Sequence, residues 1–301
     1  MDDRDLYEAK RLQIGNTPLI KCPELGRQFG AVNLLVKDES KNPFGTFKDR
    51  RNALVIDQAI EEHVDKLALI TSGNAGYSLA RLAQGTGLKV VCIADLAIDP
   101  DIRKELERYS YKVVAVDLKK KIFPTEDVFG LARETSDEVI LDVTNGYHAA
   151  FQSIVTEIEE EAPDYLVTPV GSGEAFVGLY EGLKRYRLKT ILVGVGVHHK
   201  SNHELKLQAT PSIADKLYTP YTPYKKRIER ILEEGNLYIH VSDEQIIKAY
   251  KNINLEISCE PSSAAAFASL PELDVSKSNK VVVVSSGKGI WAQQNRTVEL
   301  A

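Results

Sequence analysis

Apolar residues recur along this chain in two rhythms. Short unbroken runs at 34–36, 67–70, 90–94, 113–116, 139–141, 165–168, 190–195, 237–241 and 281–285 have the length and β-branched content of buried strands. Between them lie segments with apolar residues three and four apart, which predict helices. These run from Phe47 to about His63, near 75–84, 99–109 and 126–135, then over 149–161, 174–186, 224–234 and 243–253, with another after Pro261. Strands and helices alternating at this spacing imply parallel sheets with right-handed crossovers. A turn and a short apolar segment fill 14–20, and no short repeat or long low-complexity linker breaks the series. The alternation predicts two α/β domains, a larger one from 1–49 and 147–301 and a smaller insert at 50–146.

Composition narrows the function classes. Of 301 residues, 43% are hydrophobic and 27% charged, a globular composition with room for a substantial core. The net charge of −5, from 43 acidic and 38 basic residues, argues against a nucleic-acid partner. The one basic run, Lys119-Lys120-Lys121, reads as a solvated loop. No apolar run approaches the roughly 20 residues of a membrane span, and the acidic start, Met1-Asp2-Asp3-Arg4-Asp5, is unlike a secretory signal. Cys22, Cys92 and Cys259 are odd in number and lack metal-ligand spacing, with Cys92 inside an apolar strand as a small core residue. A cytoplasmic protein is the expectation. His148, His198, His199 and His203 also lack metal spacing, so solvent-facing or hydrogen-bonded roles are expected and no metal site.

Candidate chemistry begins at Lys37-Asp38-Glu39-Ser40-Lys41-Asn42-Pro43-Phe44-Gly45-Thr46-Phe47-Lys48-Asp49-Arg50. Asn42, Pro43 and Gly45 are turn residues. Thr46 is placed to cap a helix from Phe47, with Asp49 in capping-box spacing. Lys48 then falls in the first turn, where the helix dipole disfavours a cation by ~0.3–1 kcal/mol. That field, and burial, lower an amine's pKa, and a neutral amine attacks carbonyls, so Lys48 is a candidate Schiff-base lysine. Taken alone, it is more simply a solvated lysine at a helix start.

Three Gly/Ser loops follow apolar strands, at the carboxyl ends where open α/β sheets bind ligands. The first is Thr71-Ser72-Gly73-Asn74-Ala75-Gly76, the second Pro169-Val170-Gly171-Ser172-Gly173-Glu174, the third Val284-Ser285-Ser286-Gly287-Lys288-Gly289. Backbone amides at a helix start make an anion site, and glycines permit close approach. Each loop alone is equally an ordinary turn after a strand. A carboxylate at position 174 suits a helix N-terminus but would repel a phosphate beside it.

Together with the lysine stretch, these loops resemble the pyridoxal-phosphate enzymes of the tryptophan synthase β (fold type II) family, in its threonine synthase-like branch. Asn42 to Arg51 matches most of N-P-T-G-S-F-K-D-R-G, with Phe44 for a small hydroxyl residue and Arg51 for the glycine. Cys259-Glu260-Pro261-Ser262-Ser263-Ala264 is similar to the family's E-P-x-S-A, and the likeness runs from about Gly15 to Gly289. It implies two doubly wound α/β domains with the cofactor cleft between them, pyridoxal 5'-phosphate on Lys48, and that lysine as catalytic base. It further implies that Thr71, Ser72, Gly73, Asn74 and Ala75 bind the substrate carboxylate, with Asn74 also on the cofactor's phenolic oxygen. Gly171, Ser172 and Gly173 would hold the cofactor phosphate, Ser286 would meet the pyridine nitrogen, and Glu260 could lie near the reactive face. Lys288 replaces a histidine, and Ala150-Phe151-Gln152-Ser153 departs from the family's G-Q-x-T, which leaves the substrate open. The expected activity is elimination or replacement at the β or γ carbon of a small amino acid by a homodimer, threonine synthase-like first. Serine/threonine dehydratase and cysteine- or cysteate-synthase chemistry follow. A binding protein that kept the fold and lost catalysis, and a nucleotide-binding α/β protein using the same loops, are the alternatives from other classes.

Overall fold

A computed structural model describes residues 3–118, 122–197, 205, 212–217, 219, 221–253 and 256–292. Its elements begin with α1 (Asp3–Arg11), β1 (Leu19–Lys21), α2 (Pro23–Phe29), β2 (Asn33–Asp38), α3 (Lys48–Glu61), β3 (Lys66–Ile70), α4 (Asn74–Leu82) and β4 (Lys89–Asp95). Then come α5 (Pro100–Tyr109), β5 (Lys112–Val116), α6 (Thr125–Ala132), β6 (Ile140–Asp142), α7 (Gln152–Thr156), β7 (Tyr165–Pro169), α8 (Glu174–Arg185) and β8 (Ile191–Val197). The last are α9 (Lys225–Glu233), β9 (Leu237–Val241), α10 (Asp243–Ile253), α11 (Pro261–Ala268), β10 (Lys280–Ser285) and α12 (Gly289–Ala292). The chain forms two units, Met1–Ile14 with Asn42–Tyr147, and Gly15–Lys41 with His148–Ala301.

The first unit is built on a four-stranded sheet in the order β5-β4-β3-β6. All its pairs are parallel, with Leu67 opposite Val90 on one side and Leu141 on the other. Ala68, Val91 and Ile93 pack with Val128 and Ala132 of α6. The start of α5 is a sequence-encoded one: the Asp99 side chain accepts from the amides of Asp101 and Ile102, with Pro100 following it. Helix α1, which the apolar pattern does not announce, is fastened by polar contacts. Tyr7 Oη donates to Asp57 Oδ1 at 2.6 Å, Arg11 grips the same carboxylate, and Lys10 Nζ donates to the Arg81 carbonyl near the end of α4 at 2.9 Å.

The second unit carries a six-stranded sheet in the order β1-β2-β10-β7-β8-β9. Strand β1 runs antiparallel to β2, and the other pairs are parallel. Strand β10, from the far end of the chain, lies between β2 and β7, with Val281 opposite both Leu34 and Tyr165. One face of this sheet is buried with α2, α10 and α11 in a single apolar core.

The helix expected over 149–161 is not continuous. A 3-10 turn at His148–Phe151 leads into the five-residue α7, and a second 3-10 turn spans Glu159–Glu161. Residues 148–155 instead lie flat on α8. An added Cβ on Gly178 would sit 2.0 Å from the His148 carbonyl oxygen, and one on Gly182 2.8 Å from Val155 Cγ2. Lys119 to Lys121, His198, His199 and His203 fall outside the described residues. His148 is in them and bonds to Arg227, Nε2 to Nη1 at 3.2 Å.

Candidate active site

Lys48 is the first residue of α3, after a turn closed by Gly45 N–H to the Asn42 carbonyl at 2.9 Å, with Gly45 at φ +73°. The helix starts one residue later than the capping pattern predicts. Phe47 is the half-in residue, and the Thr46 hydroxyl accepts from the Lys48 amide at 3.3 Å. The lysine side chain is half-buried, with Nζ 5.3 Å from the Phe47 ring centroid.

The four residues after it are polar and buried, which a solvated helix start does not require. Asp49, Arg50, Arg51 and Asn52 are 0%, 6%, 1% and 0% exposed. Asp49 Oδ2 accepts from the Phe44 amide at 2.7 Å and so reaches back across the turn, while its Oδ1 accepts from Ser78 Oγ at 2.5 Å. Asn52 Nδ2 donates to the Ala75 carbonyl and to Ser78 Oγ, both at 2.9 Å. The lysine's helix is thus hydrogen-bonded to the 71–76 loop and to α4.

In that loop Thr71 Oγ1 accepts from the amides of Gly73 and Gly76, both at 3.0 Å. The peptide joining Ala75 to Gly76 is therefore held at both ends, its carbonyl by Asn52 and its N–H by Thr71. Gly73 has φ +135° and precedes Asn74, the first residue of α4. Ser72 is exposed, Asn74 and Ala75 half-buried, and Thr71 buried with its hydroxyl turned to the loop's own amides. Phe44, which takes the place of a small hydroxyl residue, packs edge-on against Tyr77 at 6.4 Å, and the Arg81 guanidinium lies 5.1 Å from its ring.

In the second unit the 169–174 and 284–289 loops leave β7 and β10, parallel neighbours, from the same end of the sheet. Gly173 (φ +86°) immediately precedes α8. That φ strains any residue with a Cβ, and an added Cβ on Gly171 would press on the Lys216 carbonyl oxygen at 3.0 Å, so both positions favour glycine. Thr222 Oγ1 donates to the Ser172 carbonyl, pinning the loop from outside. Glu174 is buried, 1% exposed, as the first residue of α8. Ser286 is 5% exposed just past β10, and Ser285 Oγ lies 3.2 Å from Ser263 Oγ of α11. Glu260, buried, precedes α11 and donates its amide to the Gly287 carbonyl at 3.0 Å, which joins the E-P-x-S-A segment to the third loop. Among the described residues no cluster of His, Cys, Asp or Glu is suited to a metal, and no helix is long and apolar enough to cross a membrane.

The second unit also holds a buried polar cluster that its sequence does not announce. Lys37, 1% exposed, pairs with Glu157 Oε2 at 2.5 Å and donates to the Thr17 carbonyl, while Thr17 Oγ1 donates to Glu39 Oε1 at 2.6 Å. Its only sequence signal is a lysine continuing the apolar run 34–36. Asn52 and Ser78 were missed for a related reason, since isolated polar residues on a helix read as its solvated face.

The model of the pyridoxal-phosphate dependent enzyme family matches residues 10–287. The chain belongs to that family. Its cofactor is pyridoxal 5'-phosphate. Threonine synthases of Methanosarcina acetivorans and Methanocaldococcus jannaschii are 25% and 24% identical to it, over 93% and 92% of this chain and 76% and 75% of theirs. In fold it is similar to an O-acetylserine dependent cystathionine β-synthase from Helicobacter pylori (TM-score 0.79, 19% identity, 97% of this chain and 98% of that one). A pyridoxal 5'-phosphate-dependent aspartate racemase gives TM-score 0.77 at 19% identity, over 97% and 96% of the two chains. The residues fit the family's cofactor where Gly171 and Gly173 leave backbone unobstructed before the N-terminus of α8, suited to a phosphate on its amide side with the buried Glu174 carboxylate turned from it, and, in the first unit, where the half-buried Lys48 amine heads α3.

Proposed function

We propose that this pyridoxal-phosphate enzyme eliminates or replaces a group at the β or γ carbon of a small amino acid, with threonine synthase-like replacement as the first reading. The observation that carries it is the hydrogen-bonded link between the helix of Lys48 and the 71–76 loop, through Asp49, Asn52 and Ser78. Such a link suits an enzyme that must hold an amino acid's carboxylate in fixed relation to a reacting amine. The threonine synthases matched over 92–93% of the chain support the first choice of reaction.

Each residue has a role in this reading. Lys48 carries the cofactor and then takes the proton from the substrate's α-carbon. Thr71, Ser72, Gly73, Asn74 and Ala75 form the carboxylate loop. Gly171, Ser172 and Gly173, with the N-terminus of α8, hold the cofactor phosphate. Bound pyridoxal phosphate supplies the electron sink for the α-carbanion. Ser286 would offer the bound ring's nitrogen a neutral hydroxyl, which does not enforce protonation of the ring, so that the weaker electron sink would favour substrates whose own leaving group drains charge from the α-carbon.

The test begins with the purified protein. Visible absorbance on adding pyridoxal phosphate, and borohydride trapping at the Lys48 peptide, are expected. Phosphohomoserine, serine, threonine and phosphoserine are then assayed for phosphate, ammonia and 2-oxoacid, and again with a thiol or sulfite present. Lys48→Ala should lose the trapped adduct and lower turnover by roughly 10²–10⁴-fold, the usual contribution of a general base. No adduct at Lys48 would end the reading. An adduct with silence across the panel would point to a binding protein, and dominant transamination would contradict the role given to Ser286.

A further inference from the structure

Arg51 stands where the resembled motif has a glycine, and it is fully buried at 1% exposure. Its Nη1 donates to Asn52 Oδ1 at 2.9 Å, its Nη2 to the Val143 carbonyl just past β6, and its guanidinium lies 5.3 Å from the Tyr147 ring. An arginine only donates, so the oxygen of the Asn52 amide must face it and the nitrogen must face away. That nitrogen meets the Ala75 carbonyl and Ser78 Oγ, and the Ser78 hydroxyl is then left to donate to Asp49. Every donor in the series points the same way, from a guanidinium through two neutral side chains to a carboxylate. Hydrogen bonds so aligned polarise one another and are charge-assisted at both ends.

We infer that Arg51 is a positioning residue for the carboxylate loop. Through Asn52 it fixes the peptide joining Ala75 to Gly76, and with it the direction of the amides that open α4. The inference rests on the proposed role of loop 71–76 in holding the substrate carboxylate. It accounts for the departure from glycine as a support built behind the loop.

The test compares wild type with Arg51→Met, which keeps length and loses every donor, and with Arg51→Lys, which restores one. Hydrogen–deuterium exchange is read over residues 71–78, and over β7 and β8 as an internal reference. Affinity is read by spectral titration of the holoenzyme with L-serine and with ethanolamine, its counterpart without the carboxylate. In Arg51→Met we expect faster exchange confined to 71–78, an unchanged Lys48 adduct, and serine affinity weakened about tenfold, the scale of a lost buried charge-assisted hydrogen bond. Ethanolamine affinity should stay put, and Arg51→Lys should recover part of the loss. Unchanged exchange at 71–78, or equal weakening for serine and ethanolamine, would overturn the inference. If Arg51→Met does not fold, Asn52→Asp cuts the next link by placing an oxygen against the Ala75 carbonyl, and the same outcomes decide. If the wild type forms no adduct at Lys48, the proposed function fails on its own, and the exchange result still decides whether Arg51 positions the loop.

Discussion

An added Cβ on Gly76 would lie 2.7 Å from Thr71 Cγ2 and 2.9 Å from Cys92 Sγ, closer than real side chains approach. Both neighbours are buried, and Thr71 is held by the two amides it accepts, so neither can yield cheaply. Gly76→Ala should therefore destabilise the protein by about 1–3 kcal/mol, the usual cost of overpacking, read as a lower denaturation midpoint. Cys92→Ala beside it should return part of the loss by removing the Sγ contact. Cys92 itself is the small core residue that its apolar run implies, fully buried, with desolvation pushing its thiol up to about 12. The candidate positions stand out in the sequence because glycines, asparagine and lysine interrupt the apolar runs. Arg51, Asn52 and Ser78 are opaque, because a buried polar residue looks like a surface one until its partner, 26 residues away for Asn52 and Ser78, is known.

Strand β3 begins with a buried lysine and depends on an acidic turn to keep it. Lys66 Nζ, 0% exposed, pairs with Glu138 at 2.6 Å and Glu134 at 2.9 Å, and the Tyr111 hydroxyl donates to Glu134. Burial alone would lower the Lys66 pKa, but the hydrogen bonds that its ammonium donates to the two carboxylates outweigh it and raise it. The Lys66 hydrogen bond, before all else, holds Glu138 down to about 2, below its ordinary 4.5, and lowers Glu134 as well. A depressed carboxylate adds stability above its unfolded pKa and loses it as pH falls through the folded value. A raised lysine adds stability below its unfolded value and loses it as pH climbs past the folded one. Melting temperature should therefore decline between pH 4.5 and about 2, the interval set by Glu138, and Glu138→Gln should flatten that part of the curve. An unchanged acid limb in the variant would show that other carboxylates govern it. At this scale the strands are legible in the sequence, since each apolar run is one. The breakup of 149–161 is not, because the close approach of 148–155 to Gly178 and Gly182 of α8 leaves no local signal.

The path of the chain through the whole molecule has a consequence for synthesis. The first unit is complete once residue 147 has been added, whereas in the second unit β10, at 280–285, is the strand between β2 and β7. A chain ending at residue 279 should keep a protease-resistant first unit while 15–41 and the segment from 148 onward are cut, as gel and mass analysis of a timed digest would show. Equal resistance throughout would mean that β10 is dispensable. In the growing protein the same gap is one of time: at ~5–20 residues per second, the span from 147 to 285 takes on the order of ten seconds. Throughout it Leu34, Leu35 and Val36 wait beside an empty place in the sheet. Newly made chains are thus exposed to strand pairing with one another for longer than their length alone suggests, and chaperone supply or a slowed late stretch of message should govern yield more than the melting temperature does.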